Sequence, residues 1–177
     1  MITKITGTLV RVLDEEVRLA VEQFEYQVLV TEYVRRQLQS KVGEEITLCT
    51  MYFLEGNPVQ QGKMTPRLLG FVNNADLEFF ELFCTVDKIG LRKAMKALER
   101  PFRDIAKAIQ REDAKWLTTL SGIGPSSADQ IVSKLKRKVA SFAMGTTGEE
   151  TDEGASPVDG NVAEEAYQAL MGLGMSP

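Results

Sequence analysis

The 177-residue chain contains no histidine, and this absence removes the commonest general base and metal ligand from consideration. The cysteines Cys49 and Cys84 stand alone, without the spacing of a metal or redox site, so we expect buried thiols in a reducing cytoplasm. No apolar run is long enough to span a membrane, and the N-terminus lacks a signal-peptide core. No glycine-rich run ends in Gly-Lys-Ser or Gly-Lys-Thr, so the sequence lacks the Walker loop of ATP-binding proteins. These absences predict a cytoplasmic chain with no membrane association, no cofactor, no metal site and no catalytic residues.

The formal net charge of −4 hides an uneven distribution along the chain. After Lys138 there are seven acidic residues and no basic ones. Residues 63–138 hold fifteen basic and nine acidic residues, a net charge of +6, whereas residues 1–62 carry −3. Positive charge is therefore concentrated in one segment, as in proteins that bind nucleic acid. The acidic tail can reduce nonspecific binding.

The N-terminal segment alternates apolar and polar residues in a way that predicts short strands. The predicted strands are residues 2–10, 17–21, 26–30, 46–54 and 67–71. Thr31 is a suitable N-cap for one short helix that ends near Gln39. Short strands with one intervening helix favour a five-stranded, partly open barrel of the OB type, and a generic small sheet is the alternative.

From Asn74 onward the apolar spacing becomes helical. Predicted helices cover residues 91–98, 101–110, 113–120 and 126–139, with a first one capped by Asn74. The most distinctive stretch, residues 120–128, reads apolar-x-Gly-Ile-Gly-Pro-x-x-Ala between two of them. Glycines permit a tight turn, and the amides that start the next helix lack intrahelical acceptors. Such a turn can bind an anionic oxygen, so we predict a helix-hairpin-helix that binds nucleic-acid phosphate. An ordinary turn with glycine caps is the alternative.

A degenerate copy of this motif lies about 34 residues upstream, where residues 83–92 parallel residues 117–126. In the copy, Lys88-Ile89-Gly90 takes the place of Gly122-Ile123-Gly124. Residues 140–158 are small, polar and acidic, and they predict a flexible linker. One amphipathic helix is predicted after it, with Leu170 and Leu173 on its apolar face.

The order of these elements resembles the RuvA family, the junction-binding subunits of the bacterial RuvAB branch-migration machine. The markers are Gly7-Thr8-Leu9, the segment Leu68-Leu69-Gly70-Phe71, the two hairpins and residues 169–174. The resemblance implies an α+β chain with four parts: an OB-fold barrel (1–72), a tandem helix-hairpin-helix domain (73–140), a flexible acidic linker (141–160) and a C-terminal helical segment (161–177). It further implies a homotetramer, or an octamer, on a four-way (Holliday) DNA junction. The partners that it implies are the RuvB ATPase, bound through Leu170 and Leu173, and the RuvC resolvase.

Through the resemblance, the two hairpins become the DNA-binding site. The predicted DNA-binding residues are Lys88, Ile89, Gly90, Arg92, Gly122, Ile123, Gly124, Ser126 and Ser127.

Three departures from the family pattern affect this prediction. The first hairpin has Lys88 in place of glycine, and the second has Pro125-Ser126 in place of a basic pair, with Lys134, Lys136 and Arg137 as candidate helpers. Family members carry a pair of acids as a pin at the junction centre, whereas residues 55–66 offer only Glu55. The C-terminal helical segment resembles a UBA domain that is short of two helices.

Two other classes of function compete with junction binding. Helix-hairpin-helix modules also occur in DNA glycosylases, lyases and nucleases, which need a catalytic lysine or aspartate beside the hairpin, or a metal cluster. Asp129 follows the second hairpin without a nearby second acid or histidine, so we expect an ordinary solvated side chain. The other alternative is a scaffold whose barrel binds protein.

Overall fold

The computed structural model describes residues 1–56 and 64–144, which pack as one compact unit. Five strands of these residues close into a barrel. They are β1 (Lys4–Val12), β2 (Glu16–Val21), β3 (Phe24–Leu29), β4 (Glu45–Glu55) and β5 (Thr65–Phe71). Their order is β1-β2-β3-β5-β4, closed by pairing of β4 with β1, and β3 runs parallel to β5 while the other pairs are antiparallel. The predicted five-stranded OB-type barrel is confirmed.

A helix between β3 and β4 packs against the barrel core. This helix, α1 (Glu32–Leu38), begins where the Val34 amide donates to Thr31 Oγ1 at 3.3 Å, and a short 3-10 turn (Gln39–Lys41) follows it. Val34 and Leu38 lie one turn apart and are both buried, so the apolar face of the helix points into the molecule. Thr31 therefore acts as the predicted N-cap.

Gly7 in β1 is needed for packing and not for a bend in the strand. The register of β1 shifts between Leu9 and Arg11, whereas Gly7 pairs regularly with Ile46. A Cβ atom on Gly7 would lie 2.5 Å from the Ala20 carbonyl oxygen. The neighbouring strand approaches too closely for any side chain here.

Helices occupy the described residues after the barrel. They are α2 (Asn74–Cys84), α3 (Leu91–Ala97), α4 (Phe102–Gln110), α5 (Ala114–Leu117), α6 (Pro125–Leu135) and α7 (Ala140–Met144). Within the described ranges, no helix has both the length and the apolar character needed to cross a membrane.

The start of α2 and the end of α5 differ from the prediction. The cap of α2 is Asn73 and not Asn74, because the Asp76 amide donates to Asn73 Oδ1 at 2.8 Å. Helix α5 is shorter than predicted because the Thr118 and Thr119 hydroxyls bind carbonyl oxygens of its last turn, each at 2.7 Å. Such side-chain bonds compete with continuation of a helix.

The predicted linker also starts too early, since α7 occupies residues 141–144. In α7 the Phe142 ring lies 5.4 Å from the Phe79 ring, and Ala143 is buried. The Arg103 Nε also donates to the Ala143 carbonyl at 3.4 Å. An apolar contact with α2 and a bond from α4 thus hold this segment on the helical region. The rest of the predicted linker and the C-terminal segment lie outside the described residues.

A cluster of aromatic rings joins the barrel to the helices. Phe71, at the end of β5, lies 5.1 Å from Phe80 of α2 and 6.2 Å from Phe102 of α4, measured between ring centroids. Tyr33 of α1 meets the Phe102 ring at 5.3 Å in an edge-on arrangement. Aromatic pairs at these distances stabilise a core beyond the effect of the area that they bury. The hairpins are therefore attached to a rigid base.

Candidate nucleic-acid interface

The two predicted hairpins have the same backbone hydrogen bonds. We call residues 83–92, between α2 and α3, the first hairpin, and residues 117–126, between α5 and α6, the second hairpin. In the first hairpin the Ile89 amide donates to the Val86 carbonyl at 3.0 Å, and in the second the Ile123 amide donates to the Leu120 carbonyl at 3.1 Å. Equivalent bonds start the following helices, from Ala94 to Gly90 and from Ala128 to Gly124, both at 2.9 Å. The offset of 34 residues therefore corresponds to a structural repeat.

Each hairpin is held by one inward-pointing isoleucine. Ile89 is 2 % exposed and Ile123 is 4 % exposed. Their amides are used inside the turns, as described above. Both isoleucines were predicted to bind DNA, but neither the side chain nor the amide faces solvent. Their role in the free subunit is to fix the turn.

Positive φ occurs at the first residue of each three-residue turn. Lys88 has φ +63° and Gly122 has φ +76°. The last residues of the two turns do not have positive φ, since Gly124 has φ −90° and Gly90 has φ −82°. Both of these glycines are N-cap residues with an extended backbone, a conformation that any residue can adopt. Among these four turn residues, Lys88 alone is a non-glycine residue in a left-handed backbone, which costs about 1–2 kcal/mol.

The space in front of the two N-cap glycines is open. A Cβ atom on Gly90 or on Gly124 would meet no heavy atom within 4 Å among the residues described. Neither helix receives a side-chain cap, and the amides of Gly124, Ser126 and Ser127 have no acceptor in the described part of the chain. Unpaired amides at a helix start, with a clear approach, form a site for an anionic oxygen.

The cation of the first hairpin is held by acids of the barrel. Arg92 Nε lies 2.6 Å from Glu55 Oε1, and a second guanidinium nitrogen also contacts this oxygen. The third nitrogen lies 3.3 Å from Glu15 Oε2. The Arg92 side chain is nevertheless 51 % exposed, so a phosphate has access to it. Arg92 is thus a partly paired cation in the free subunit.

Glu55, the candidate pin, is not an isolated negative charge. Besides Arg92, Arg67 binds it, with 3.0 Å between Arg67 Nε and Glu55 Oε2. Hydrogen bonds from Arg92 and then from Arg67 lower the pKa of the Glu55 carboxyl. Its side chain is 26 % exposed. Two guanidinium groups neutralise the charge that a repelling pin needs, so this geometry weighs against the prediction.

The second hairpin carries hydroxyls in place of the family's basic pair. Ser126 is exposed, and Ser127 Oγ lies 3.0 Å from the ammonium nitrogen of Lys93, a residue of α3. The predicted helpers are elsewhere: Lys134 pairs with Asp87 at 3.3 Å, and Lys136 pairs with Glu112. They also lie at the far end of α6, about 13 Å or more along the axis from Pro125, its first residue.

Lys93 is absent from the set of residues that the sequence predicted. The available signal was the repeat itself, since Lys93 and Ser127 are equivalent positions, 34 residues apart. Their contact across the repeat depends on how the two hairpins pack. A comparison of motifs along the chain does not reveal this packing.

The described residues present unpaired amides at two helix starts and no evident catalytic group. They contain no group of three or more His, Cys, Asp or Glu side chains that could hold a metal ion. Asp129 is exposed on α6, as expected for a solvated residue. Leu170 and Leu173, the predicted contacts for the ATPase, lie outside the described residues.

Comparisons with known proteins agree with the repeat. Residues 80–137 match the family described as a SAM-like helix-hairpin-helix tandem. A protein of Rhodopirellula baltica named Holliday junction branch migration complex subunit RuvA is 42 % identical over 176 residues, which cover 99 % of this chain and 84 % of the relative. Relatives with the same name in Desulforapulum autotrophicum and Corynebacterium glutamicum are 34 % and 33 % identical, over 88 % and 99 % of this chain and 71 % and 84 % of their own lengths.

Proposed function

Because the chain belongs to the RuvA family of Holliday junction branch migration complex subunits, we propose that it binds four-way DNA junctions through their phosphates. In this role it is the junction-binding subunit of the complex, and ATP hydrolysis belongs to a motor subunit. Its contacts are to the DNA backbone, so junction structure matters more than sequence. The place of action is the cytoplasm, where bacterial DNA lies.

The observation that carries the proposal is the pair of equivalent hairpins with open N-cap glycines. Each hairpin presents unpaired amides and leaves room for a phosphate in front of them. Such bonds to a charged oxygen contribute about 1.5–3 kcal/mol each. Two sites per subunit suit two phosphates on neighbouring strands of one arm.

The two hairpins bind phosphate by different means. In the first hairpin Lys88 and Arg92 place positive charge beside the amides of Gly90 and Arg92. In the second hairpin the amides of Gly124, Ser126 and Ser127 and the Ser126 hydroxyl make the contacts. Each cation adds to the salt dependence of binding, whereas each neutral donor adds mainly to affinity.

The proposed assembly is a homotetramer, with one subunit for each of the four arms. Apolar side chains support a subunit contact on the barrel, since Tyr52, Leu54 and Met64 near the ends of β4 and β5 are 45 %, 54 % and 42 % exposed. Exposed apolar groups of this kind are often covered in an assembly. A pair of tetramers enclosing the junction is the larger form of the same arrangement.

The proposed partner of the C-terminal segment is the RuvB ATPase, and RuvC resolvase would act on the same junction. Leu170 and Leu173 lie four and seven residues after Ala166 on the amphipathic pattern that predicts a docking helix. In the full chain, Leu170→Asp should leave junction binding unchanged and remove stimulation by RuvB, whereas Leu170→Ile should behave like the wild type. Full branch migration by Leu170→Asp would contradict this assignment.

An electrophoretic mobility shift with a synthetic four-way junction tests the main proposal. The matched competitor is a linear duplex of the same sequence and length. We expect tighter binding to the junction, weakening steeply as salt rises. Equal affinity for the two DNAs would contradict the proposal, and incision of the junction with added divalent metal would favour the repair-enzyme alternative.

A further inference from the structure

We propose that Lys93 supplies the cation of the second hairpin from the helix of the first. The basic pair that the family pattern places after the second glycine is absent, and a side chain from the opposite repeat takes over its charge. This inference rests on the proposed binding of phosphate by the hairpins. It adds a residue that no motif in the second hairpin contains.

The position of Lys93 fits this role. Its stem passes over the second turn, since a Cβ atom on Gly122 would lie 4.0 Å from Lys93 Cγ. Its ammonium nitrogen then lies 3.0 Å from Ser127 Oγ, in the first turn of α6. Ser127 lies three residues after Gly124, on the turn whose amides are unpaired. The ammonium group is therefore beside the proposed phosphate site.

The charge of Lys93 is available to a ligand. No carboxylate lies within ion-pair distance of its ammonium group among residues 1–56 and 64–144. Arg92, Lys134 and Lys136 all have such partners. A lysine ammonium carries three donors, and the Ser127 hydroxyl accepts from one. Two donors remain for a phosphate oxygen.

The contact also explains why the two hairpins differ in sequence. Lys93 and Ser127 are equivalent residues of the two repeats, and Ala94 and Ala128, which follow them, are both fully buried. The contact between Lys93 and Ser127 places the starts of the two equivalent helices close together. One lysine can then serve a site on the other repeat, and a second lysine at position 127 would face it with the same charge.

The test is a salt series of junction affinities for Lys93→Met, which keeps the apolar stem and removes the charge. We expect weaker binding and a slope of log affinity against log salt that is shallower by about 0.9 for each subunit engaged. Lys93→Arg should restore the slope. Lys115→Met, which removes an exposed charge from α5, is the control and should change the slope less.

Double variants identify the hairpin that Lys93 serves. Combined with Gly124→Val, Lys93→Met should cost less affinity than the sum of the two single changes, because both affect one phosphate. Combined with Gly90→Val, the effects should add. A folded Lys93→Met with wild-type affinity and slope, or coupling to Gly90 alone, would overturn the inference. Failure of the wild type to bind any junction would instead overturn the proposed function.

Discussion

The first and second hairpins have the same backbone conformation but differ in the charge of their side chains. Each has an inward isoleucine, the same turn hydrogen bond and an extended N-cap glycine. The first carries Lys88 at positive φ and a cation paired with barrel acids, whereas the second carries Gly122 and neutral residues after the turn. The turn is thus set by its buried residue and its amides. The charge of the side chains around the turn differs between the two hairpins, although the backbone is the same.

Lys88 shows most clearly that the backbone of the turn does not depend on the residue that carries the charge. A lysine with φ +63° is unfavourable, yet the turn around it matches the turn around Gly122. The surrounding packing determines the backbone, and the strained residue follows. Strain of this kind is consistent with a residue kept for its charge.

The largest effect on junction affinity should come from blocking the amides of both hairpins at once. In the double variant Gly90→Val with Gly124→Val, the new side chains occupy the space in front of the amides without a clash inside the chain. Loss of the charge-assisted bonds at two sites should weaken junction binding by about 100-fold or more, from about 1.5–3 kcal/mol per bond. Binding is measured by mobility shift, and thermal unfolding is the control for folding. A folded double variant with wild-type affinity would contradict the common role of the hairpins.

Exchanging the first residue of each turn should move stability and affinity in opposite directions. Lys88→Gly relieves the strain at φ +63° and removes a cation. We expect the free energy of unfolding to rise by up to about 1 kcal/mol and the salt slope to fall by about 0.9 per subunit. Chemical denaturation and a salt series measure the two quantities. A parallel loss of both would mean that Lys88 holds the turn.

The reciprocal change, Gly122→Lys, should give the second hairpin the properties of the first. The lysine would adopt φ +76°, so stability should fall by about 1 kcal/mol. Junction affinity should rise and depend more steeply on salt, by about 0.9 per subunit. Gly122→Ala is the matched control, since it adds the strain without the charge. If both variants bind alike, the position does not face a phosphate.

A smaller effect is expected from Glu55→Gln, which releases Arg92 of the first hairpin. Exposed ion pairs contribute about 0–1 kcal/mol, so affinity should increase by a few-fold at most. Because its partners lower the pKa of Glu55 in the folded state, the pair stabilises the fold above the usual carboxyl range, and this contribution is lost as pH falls through the lowered pKa. The difference in melting temperature between wild type and variant should therefore disappear under strongly acidic conditions. A large gain in duplex binding would instead restore Glu55 as a repelling pin.

Local patterns in the sequence predicted the elements well. Alternation located β2 and β4, Thr31 predicted the start of α1, and the repeated motif predicted both hairpins. The glycine spacing alone does not tell which residue of each turn has positive φ. In both hairpins it is the residue before the isoleucine.

Local sequence patterns could not predict the contacts between segments that are distant along the chain. Arg92 and Glu55 are 37 residues apart, and they meet because the helical region packs on the barrel. Lys93 meets Ser127 because two repeats pack together. Each contact changes the role of a predicted residue: Glu55 becomes a partner of cations, and the second hairpin gains one.

The most direct test of the central claim is the junction affinity of Gly124→Val beside that of Gly122→Ala. The claim is that the second hairpin, although it contains no basic residue, binds a phosphate in front of Gly124. Because Gly124 is extended with open space around it, valine should leave the fold intact. The account predicts at least about a tenfold loss of affinity for Gly124→Val, and near wild-type affinity for the strained but unobstructed Gly122→Ala. Wild-type affinity in a folded Gly124→Val protein would contradict it.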